Sequence, residues 1–377
     1  MLKALTFLGT GPRDGYQPTT YLKHDGSDSC ETHLFPEAVA TLYQPDETIV
    51  FVTPLVREDE RGYLRYLEEK LGDRLRTVDI PDGTAEAELW EIFQICADSV
   101  DENDEILLDI THGFRSLPLL IFVVAAYLQQ VKRVKLKHVI YGAFESRAEG
   151  TDATPIFDLT PFVALMEWMN AFAIFQNSGD ARELAKLGLP HGIEKNLTTV
   201  SAALLTNRTL EAQRAVSGFI GNDLNHPKSL AKQPAPFRAV TERLKASYAD
   251  MGVRQPEQHP TDSLKAQCQQ IRWYMENRHY LQAVTLMREW LVSWECIARN
   301  PRNWRNIEVR EAAEKRLNNS RLSSRIGATR LWRRCIDIRN DLAHCGMREK
   351  PRGAAKAMKE AEELFGEFVS FVTELEL

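Results

Sequence analysis

Strand-like and helix-like segments alternate through the first 160 residues, and this alternation constrains the fold more than any other feature. The strand-like segments are short, apolar and bounded by Gly, Pro or Asp. They are Lys3–Leu8, Thr48–Val52, Arg76–Ile80, Glu105–Ile110, His138–Gly142 and, more weakly patterned, Ile156–Leu159. Helical patterns separate them at His33–Leu42, Asp59–Leu71, Ala85–Ser99 and Phe114–Gln130. Such alternation predicts a Rossmann-like α/β domain over residues 1–160, with a parallel sheet and helices on both faces.

The strand pattern stops at Pro161, and only helical patterns follow. They are Pro161–Gln176, Asp180–Lys186, Ile193–Phe219, Ala235–Tyr248, Ser263–Asn277, Tyr280–Ala298, Val309–Leu317, Ala328–His344 and Ala354–Leu375. The segments Asn222–Pro236 and Met251–Pro260 are rich in Pro, Asn, His and Gly, which indicates loops or linkers. We therefore predict an all-α C-terminal part, with a domain boundary near residue 262.

The length and composition exclude several classes of protein. The chain has 377 residues, of which 44% are hydrophobic and 27% charged, so it is long enough for two or three folded domains and is not disordered. The longest apolar run, Leu117–Leu128, is too short to span a bilayer, and the first residues resemble a strand rather than a signal peptide. Six scattered cysteines form no C-x-x-C pair and suggest reduced thiols. We expect a cytoplasmic protein without membrane association.

The net charge of −6 is unevenly distributed. Residues 1–262 contain 26 Lys and Arg against 38 Asp and Glu, whereas residues 263–377 contain 21 against 15. Eleven arginines fall within Arg299–Arg339, and arginine binds phosphate through a rigid fork of donors. The basic part therefore indicates either a polyanionic partner or a solvated helical surface, and charge alone does not decide between them.

Glycine and threonine follow the first strand, where ligands bind in open parallel sheets. The sequence there is Gly9-Thr10-Gly11-Pro12, and Thr19 and Thr20 come shortly after it. Glycines let a ligand approach the backbone, and N–H groups and threonine hydroxyls bind phosphate or a nucleobase edge. Asp14 replaces the third glycine of the dinucleotide fingerprint, and no G-K-[ST] follows, so neither NAD nor ATP is indicated.

A second loop of this kind follows the Glu105–Ile110 strand. It reads Thr111-His112-Gly113-Phe114-Arg115-Ser116 and leads into a helix, whose N-terminus offers free N–H donors. Thr111, His112 and Arg115 would add donors to the same anion. The alternative is that the first loop is a tight turn and the second a helix cap; two such loops in one sheet favour a phosphate or nucleotide site.

Arg339 and His344 near the C-terminus form an Arg-x4-His pattern at the end of a predicted helix. Five residues correspond to about 140° around a helix, so the pair converges poorly unless the helix ends there or meets a second copy. Gly346 is well placed to end it. Histidine can move a proton and arginine can hold a developing negative charge, which suits metal-free RNA cleavage through the 2′-hydroxyl. The alternative is a polar helix in which Arg339 pairs with Asp337 or Asp341.

No cluster of Asp, Glu and His stands at metal-ligand spacing, so no metal site and no cofactor are expected. This expectation agrees with a metal-free route for any cleavage at Arg339 and His344.

The two loops and the Arg-x4-His pattern together resemble a known combination of domains. Leu5-Thr6-Phe7-Leu8-Gly9-Thr10-Gly11 and Asp109-Ile110-Thr111-His112-Gly113-Phe114-Arg115-Ser116-Leu117-Pro118 are similar to the ligand-loop motifs of CARF sensor domains. Arg339-Asn340-Asp341-Leu342-Ala343-His344 resembles the motif of HEPN ribonucleases. The chain thus resembles the accessory ribonucleases of type III CRISPR systems. In that family the middle, residues 161–262, would be a helical connector or a winged-helix-like insert, and residues 263–377 the HEPN domain.

The resemblance implies a function and a set of site residues. The CARF domain would bind cyclic oligoadenylate, for which we expect four adenylates with six as the alternative, and this would activate metal-independent cleavage of single-stranded RNA in a homodimer. Arg339 and His344 would be catalytic and Asn340 supporting. The ligand positions would be Gly9, Thr10, Gly11, Thr111, His112, Gly113, Phe114 and Arg115, with Thr19 and Thr20 as further candidates. The alternatives are a messenger-binding regulator with an inactive HEPN domain and a ring nuclease that degrades the messenger.

Overall fold

The chain forms two compact units, Met1–Met166 and Glu167–Leu377. The structure is a computed structural model, and it describes residues 1–112, 117–147, 151–189, 191–221, 235–300, 302–319, 321–323, 325, 327–347 and 349–376. The further division of the helical part at residue 262 stays a prediction.

The N-terminal unit contains an eight-stranded sheet in the order β3-β2-β8-β7-β6-β1-β4-β5. The strands are β1 Leu2–Leu8, β2 Thr19–Leu22, β3 Ser29–Thr32, β4 Glu47–Val52, β5 Leu75–Asp79, β6 Glu105–Asp109, β7 Lys135–Gly142 and β8 Ala153–Asp158. Strands β5, β4, β1, β6 and β7 are parallel, with register pairs such as Leu5–Ile49 and Leu5–Leu108. Both neighbours of β1 therefore end at the same edge of the sheet as β1.

The sheet is not parallel throughout: β8 and β2 run opposite to the other six strands, so the prediction of a parallel sheet was wrong for β8, the one of these two that was predicted as a strand. β8 is antiparallel to β7, β2 is parallel to β8, and β3 is antiparallel to β2. The hairpin of β2 and β3 was not predicted, because each strand has four residues and no apolar run. Pairing with β8 holds it in place: the Thr20 amide and the Thr19 hydroxyl both donate to the carbonyl of Asp152. Long-range pairing of this kind has no local sequence signal.

Helices cover both faces of the sheet, as predicted. They are α1 Phe35–Tyr43, α2 Pro54–Arg57, α3 Tyr63–Leu71, α4 Glu86–Asp98 and α5 Leu117–Val131. Phe35 and Val39 of α1 pack on one face with Ile140 of β7. Phe93 of α4 and Leu128 of α5 pack on the other face. The α/β class is therefore confirmed.

The rest of the chain is helical, with no strand among the residues described there. The helices are α6 Thr160–Ser178, α7 Arg182–Ala185, α8 His191–Leu205, α9 Thr209–Gly221, α10 Ala235–Tyr248, α11 Pro260–Glu276, α12 Tyr280–Arg299, α13 Ile307–Asn318, α14 Ala328–Ala343 and α15 Ala354–Glu374. The predicted single helix Ile193–Phe219 is two helices, because Asn207 has a φ of 57° and ends the first. No helix within the described ranges is long and apolar enough to cross a membrane.

Helix α14 packs against α12 and α15 through one apolar face. Leu331, Trp332, Cys335 and Ile338 are buried along it at helical spacing. The guanidinium of Arg288 on α12 lies over the Trp332 ring, 4.9 Å from its centroid. The buried face fixes the rotation of α14, so that the side chain of Arg339 is exposed.

Candidate functional site

A cavity of about 500 Å³ opens at the carboxyl ends of the parallel strands. Its lining comes from the loops that follow β1, β4 and β6 and from the end of β7. Strand β1 lies between β4 and β6 in the sheet, so the strand order reverses at β1. Open α/β sheets bind their ligands at such a reversal, beyond the carboxyl ends of the strands. Five residues expected at a ligand site line this cavity: Gly9, Thr10, Gly11, Thr111 and His112.

The loop after β1 is held in shape by two tyrosines. Gly11 has a φ of +70°, and a Cβ there would lie 2.9 Å from the ring of Tyr16. Tyr16 donates from its hydroxyl to the Gly9 carbonyl at 3.0 Å, while its own amide donates to the hydroxyl of Tyr63 at the same distance. Burial raises the pKa of Tyr16 to about 12, so the hydroxyl keeps its proton at neutral pH. Only glycine fits at position 11 without displacing Tyr16.

The loop after β6 begins from a buried carboxyl group. Asp109 accepts hydrogen bonds from the Thr6 hydroxyl and from the Thr111 amide, the latter at 2.8 Å. Burial raises the pKa of Asp109 to about 6. The Thr111 hydroxyl in turn accepts from the Gly142 amide at 2.9 Å and so ties this loop to β7. Thr111 therefore fixes the loop as well as lining the cavity.

His112 lines the cavity and has a polar side-chain atom that makes no hydrogen bond to any described residue. Its Nε2 is buried and has no hydrogen-bond partner. Its ring lies 4.7 Å from the Tyr16 ring, centroid to centroid. Burial lowers the pKa of His112 to about 4, so the imidazole is neutral at pH 7. A neutral imidazole can donate or accept one hydrogen bond from a ligand but adds no positive charge.

The other predicted ligand residues lie elsewhere. Thr19 and Thr20 are in β2 and are not among the residues that line the cavity. The Thr19 hydroxyl is buried and lies 2.7 Å from the Thr154 hydroxyl, so its hydrogen bonds are made within the sheet. Gly113, Phe114 and Arg115 lie outside the described residues.

Several cavity residues were missed by the sequence analysis. They are aromatic or polar side chains from five separate segments, among them Tyr16, His33, Thr53, Tyr141 and Glu145. Tyr16 and Gln17 stand between Gly11 and Thr19, and this closeness to the loop that the sequence singled out was the one available signal. The others come together through strand order, which no local pattern reports.

Helix α14 ends at Ala343, directly before the histidine of the Arg-x4-His pattern. His344 is the C-cap, and its amide donates to the Asn340 carbonyl at 3.1 Å. Cys345 and Gly346 follow with positive φ angles of 54° and 71°, so the expected stop at Gly346 is confirmed. Arg339 and His344 are both exposed. The only hydrogen bond of the Arg339 guanidinium within the described chain goes to the Asn340 amide oxygen at 3.1 Å.

The acids nearest to Arg339 in sequence are occupied by another arginine. Arg352, which precedes α15, contacts Asp337 and has Nη1 3.6 Å from Asp341. Its Nε also donates to Glu360 at 2.6 Å. Among the described residues, Arg339 therefore has no acidic partner, and His344 makes no side-chain hydrogen bond. The alternative in which Arg339 is neutralised by Asp337 or Asp341 does not fit this arrangement.

Most of the arginines between residues 299 and 339 form ion pairs within the C-terminal unit. Seven of the eleven have a carboxylate within 4 Å: Arg299, Arg305, Arg310, Arg316, Arg325, Arg330 and Arg334. Much of the positive charge of this segment is thus neutralised by nearby carboxylates. A polyanionic partner would contact a few separate arginines such as Arg339.

Most of the N-terminal unit is similar to a known protein family. Residues 4–145 match the family described as "CRISPR system endoribonuclease Csx1, CARF domain". The matched range includes the loop that follows β1 and the loop that follows β6. It confirms the resemblance to CARF proteins of CRISPR systems that the two loop motifs indicated.

Longer similarities extend beyond this domain. A CRISPR-associated protein of Methanocaldococcus jannaschii is 26% identical over 282 residues, which cover 71% of this chain and 42% of that protein. The chain thus spans less than half the length of this curated relative. Among solved structures, Csm6 of Enterococcus italicus, bound to cyclic hexa-2′-fluoro-hexa-dAMP, is similar over 98% of this chain and 93% of that chain. Its TM-score is 0.47 and its sequence identity 10%.

Proposed function

We propose that the protein is a ribonuclease of type III CRISPR defence, in which cyclic oligoadenylate bound by the CARF domain activates cleavage of single-stranded RNA by a HEPN-like C-terminal domain. One observation carries the proposal: Arg339 and His344 are exposed at the end of α14, while Arg352 occupies the acids that would otherwise pair with Arg339. An arginine without an acidic partner remains available to a phosphate.

The chemistry at α14 follows from these two side chains. The 2′-hydroxyl of RNA attacks the adjacent phosphorus, and the bond from phosphorus to the 5′-oxygen of the next nucleotide breaks. His344 acts on one of the two protons that move, either by taking the 2′-hydroxyl proton or by giving a proton to the leaving 5′-oxygen, and Arg339 stabilises the negative charge on the phosphoryl oxygens. Asn340 supports Arg339 through its amide oxygen. The site needs no metal for this route. A second copy of the chain beside α14 would supply a second arginine and histidine, so we expect a homodimer.

The cavity supports the ligand half of the proposal. A cyclic oligoadenylate presents phosphates and purine rings, and the cavity offers glycine backbone, the Thr10 hydroxyl and the aromatic rings of Tyr16 and His112. Aromatic rings stack on bases, and loop N–H groups bind phosphate oxygens. The neutral His112 contributes a directed hydrogen bond rather than charge. We expect the cyclic tetra-adenylate to be the strongest activator.

RNA cleavage tests the proposal directly. Labelled single-stranded RNA is incubated with the protein and cyclic tri-, tetra- or hexa-adenylate. Cleavage should require one of these messengers and should disappear in Arg339→Ala and His344→Ala. Arg333→Ala is the matched control, because Arg333 lies on the same helix and donates only to the Asn318 carbonyl among described residues. It should retain activity.

The products and the metal requirement make the test sharper. Attack by the 2′-hydroxyl requires 2′,3′-cyclic phosphate or 3′-phosphate ends, and DNA should remain intact. Cleavage should persist in excess EDTA. Activity that is lost in EDTA and restored by magnesium or manganese would contradict the assignment of Arg339 and His344 as the whole catalytic set.

Two other outcomes would overturn the proposal as a whole. Messenger binding without RNA cleavage at any ring size would make the protein a regulator. Messenger consumption with RNA intact would make it a ring nuclease. Chromatography of the messenger after incubation separates these outcomes.

A further inference from the structure

We propose that His24, His138 and Asp158 form a binding site for one Zn²⁺ ion in the N-terminal unit. One nitrogen or oxygen atom from each side chain lies within 4.8 Å of the other two. The Asp158 Oδ2 is 3.1 Å from the His138 Nδ1 and 3.8 Å from the His24 Nε2. Ligand atoms about 2.0–2.2 Å from a tetrahedral zinc are separated by roughly 3.3 Å. The three groups therefore need shifts of about 1 Å or less to share an ion.

Neighbouring groups already orient two of the three ligands. The other nitrogen of His24, Nδ1, is 2.9 Å from the Tyr43 hydroxyl. The other oxygen of Asp158, Oδ1, accepts hydrogen bonds from the amide and hydroxyl of Thr160, the former at 2.9 Å. Metal sites in proteins hold their histidines and carboxylates in this manner, through the atom that does not bind the metal.

The ligand types favour zinc over magnesium or calcium. Two imidazoles and one carboxylate suit borderline transition metals, whereas magnesium and calcium take oxygen ligands. The three side chains are half-buried, so the fourth position of a tetrahedral ion is open to water. The site is separate from the ligand cavity, because none of these residues lines that cavity.

The site would join the segments that depart from the parallel sheet. His24 follows β2, His138 is within β7, and Asp158 ends β8. These three strands are neighbours in the order β2-β8-β7, and the sheet changes direction between β8 and β7. An ion bound here would cross-link the short β2–β3 hairpin to the main sheet. We expect zinc to raise the thermal stability of the protein, since it binds only the folded arrangement.

Zinc titration of the metal-free full-length protein tests the inference. Isothermal titration calorimetry should show one zinc per chain, and Co²⁺ should give the intense visible absorption of a tetrahedral site. Binding should be lost in His24→Ala, His138→Ala and Asp158→Asn. The last variant keeps an acceptor for Thr160 and so guards against misfolding. Tyr43→Phe should weaken binding about 10-fold.

The control is His191→Ala, which removes an exposed histidine of the other unit and should bind zinc as the wild type does. Circular dichroism of each metal-free variant verifies that it is folded. Absence of zinc binding by the wild type would show that the three groups are a hydrogen-bonded cluster only. Zinc binding that persists unchanged in Asp158→Asn would place the ion elsewhere and equally overturn the proposal. Neither result depends on RNA cleavage.

Discussion

Single residues decide the shape of the ligand cavity, and Gly11 shows how. Its positive φ and its approach to the Tyr16 ring exclude a Cβ for two separate reasons, backbone strain and contact. Gly26, in the turn between β2 and β3, has the same φ of +70° but no atom within 4 Å of an added Cβ. Alanine variants at Gly11 and Gly26 therefore separate the effect of contact with Tyr16 from the effect of backbone strain.

Gly11→Ala should weaken binding of cyclic oligoadenylate roughly tenfold, which corresponds to about 1.4 kcal/mol. The added methyl group must displace Tyr16 from the cavity wall. Gly26→Ala carries the same backbone strain and should leave the affinity unchanged. Calorimetric titration of both variants measures the difference; equal affinities in the two would show that the loop after β1 is a turn without a part in binding.

His112 gives the stability of the N-terminal unit a dependence on pH. Its pKa is lowered by burial to about 4 in the folded state, against an ordinary value of 6.5. Between these values the unfolded chain takes up a proton that the folded chain does not. The free energy of unfolding therefore falls as the pH decreases from 6.5 towards 4. Asp109 acts in the opposite sense, since its raised pKa penalises the folded carboxylate as the pH rises through 6.

His112→Asn isolates the histidine effect. Between pH 7 and pH 5 the wild type should lose on the order of 2 kcal/mol of unfolding free energy relative to this variant. Urea denaturation at both pH values measures the change. The exposed His191→Asn serves as the control and should show almost no such difference. A wild type and His112→Asn that respond to pH in parallel would contradict the burial of this imidazole.

At the scale of one element, Arg352 stabilises the C-terminal part of α14, where Arg339 and His344 are exposed. Arg352 binds the Asp337 and Asp341 side chains and thereby connects α14 to the segment before α15. Asp341 has only 6% of its side chain exposed, and Arg352 has 17%. A carboxylate buried to this degree needs its partner.

Arg352→Ala should destabilise the C-terminal unit by on the order of 2 kcal/mol, because it leaves the Asp341 carboxylate buried without its cation. It should also lower RNA cleavage, since the freed acids can then pair with Arg339. Arg352→Lys keeps the charge and should be intermediate in both measurements. Urea denaturation and the cleavage assay provide the readouts. An Arg352→Ala protein of wild-type stability would show that this ion-pair cluster does not hold α14.

At the scale of the whole molecule, the two proposed sites belong to different units. The cavity lies in Met1–Met166 and the Arg-x4-His pattern in Glu167–Leu377. Regulation of one by the other is then a coupling free energy between separate sites. If the Arg339 and His344 side chains of two chains form one catalytic site, the messenger could regulate cleavage by changing the distance and angle between the two α14 helices.

His344→Ala should abolish cleavage and leave the messenger affinity close to that of the wild type. In mixed dimers of His344→Ala with wild type, activity should fall well below half, because each composite site would contain an altered chain. Differently tagged chains, purified as the mixed species, permit the measurement. Activity in strict proportion to the number of intact chains would show that each chain carries a complete site.

Local sequence determined much of this protein. Hydrophobic periodicity predicted nearly all the helices and the six longer strands, because each of them buries an apolar face and the apolar residues of that face recur at a regular spacing in the sequence. Gly9-Thr10-Gly11 and the loop from Thr111 indicated the cavity edge because backbone geometry and strand ends are local properties. The end of α14 at His344 followed from Gly346 in the same way.

The tertiary structure decided what depends on residues far apart in sequence. The place of the β2–β3 hairpin in the sheet depends on the pairing of β2 with β8, more than 100 residues further along the chain, and short polar strands such as Ser29–Thr32 carry no pattern for it. The gathering of His24, His138 and Asp158 spans 134 residues and has no spacing that a reader could detect. Whether Arg339 is neutralised depended on Arg352, because an ion pair forms with whichever partner the packed helices bring within reach.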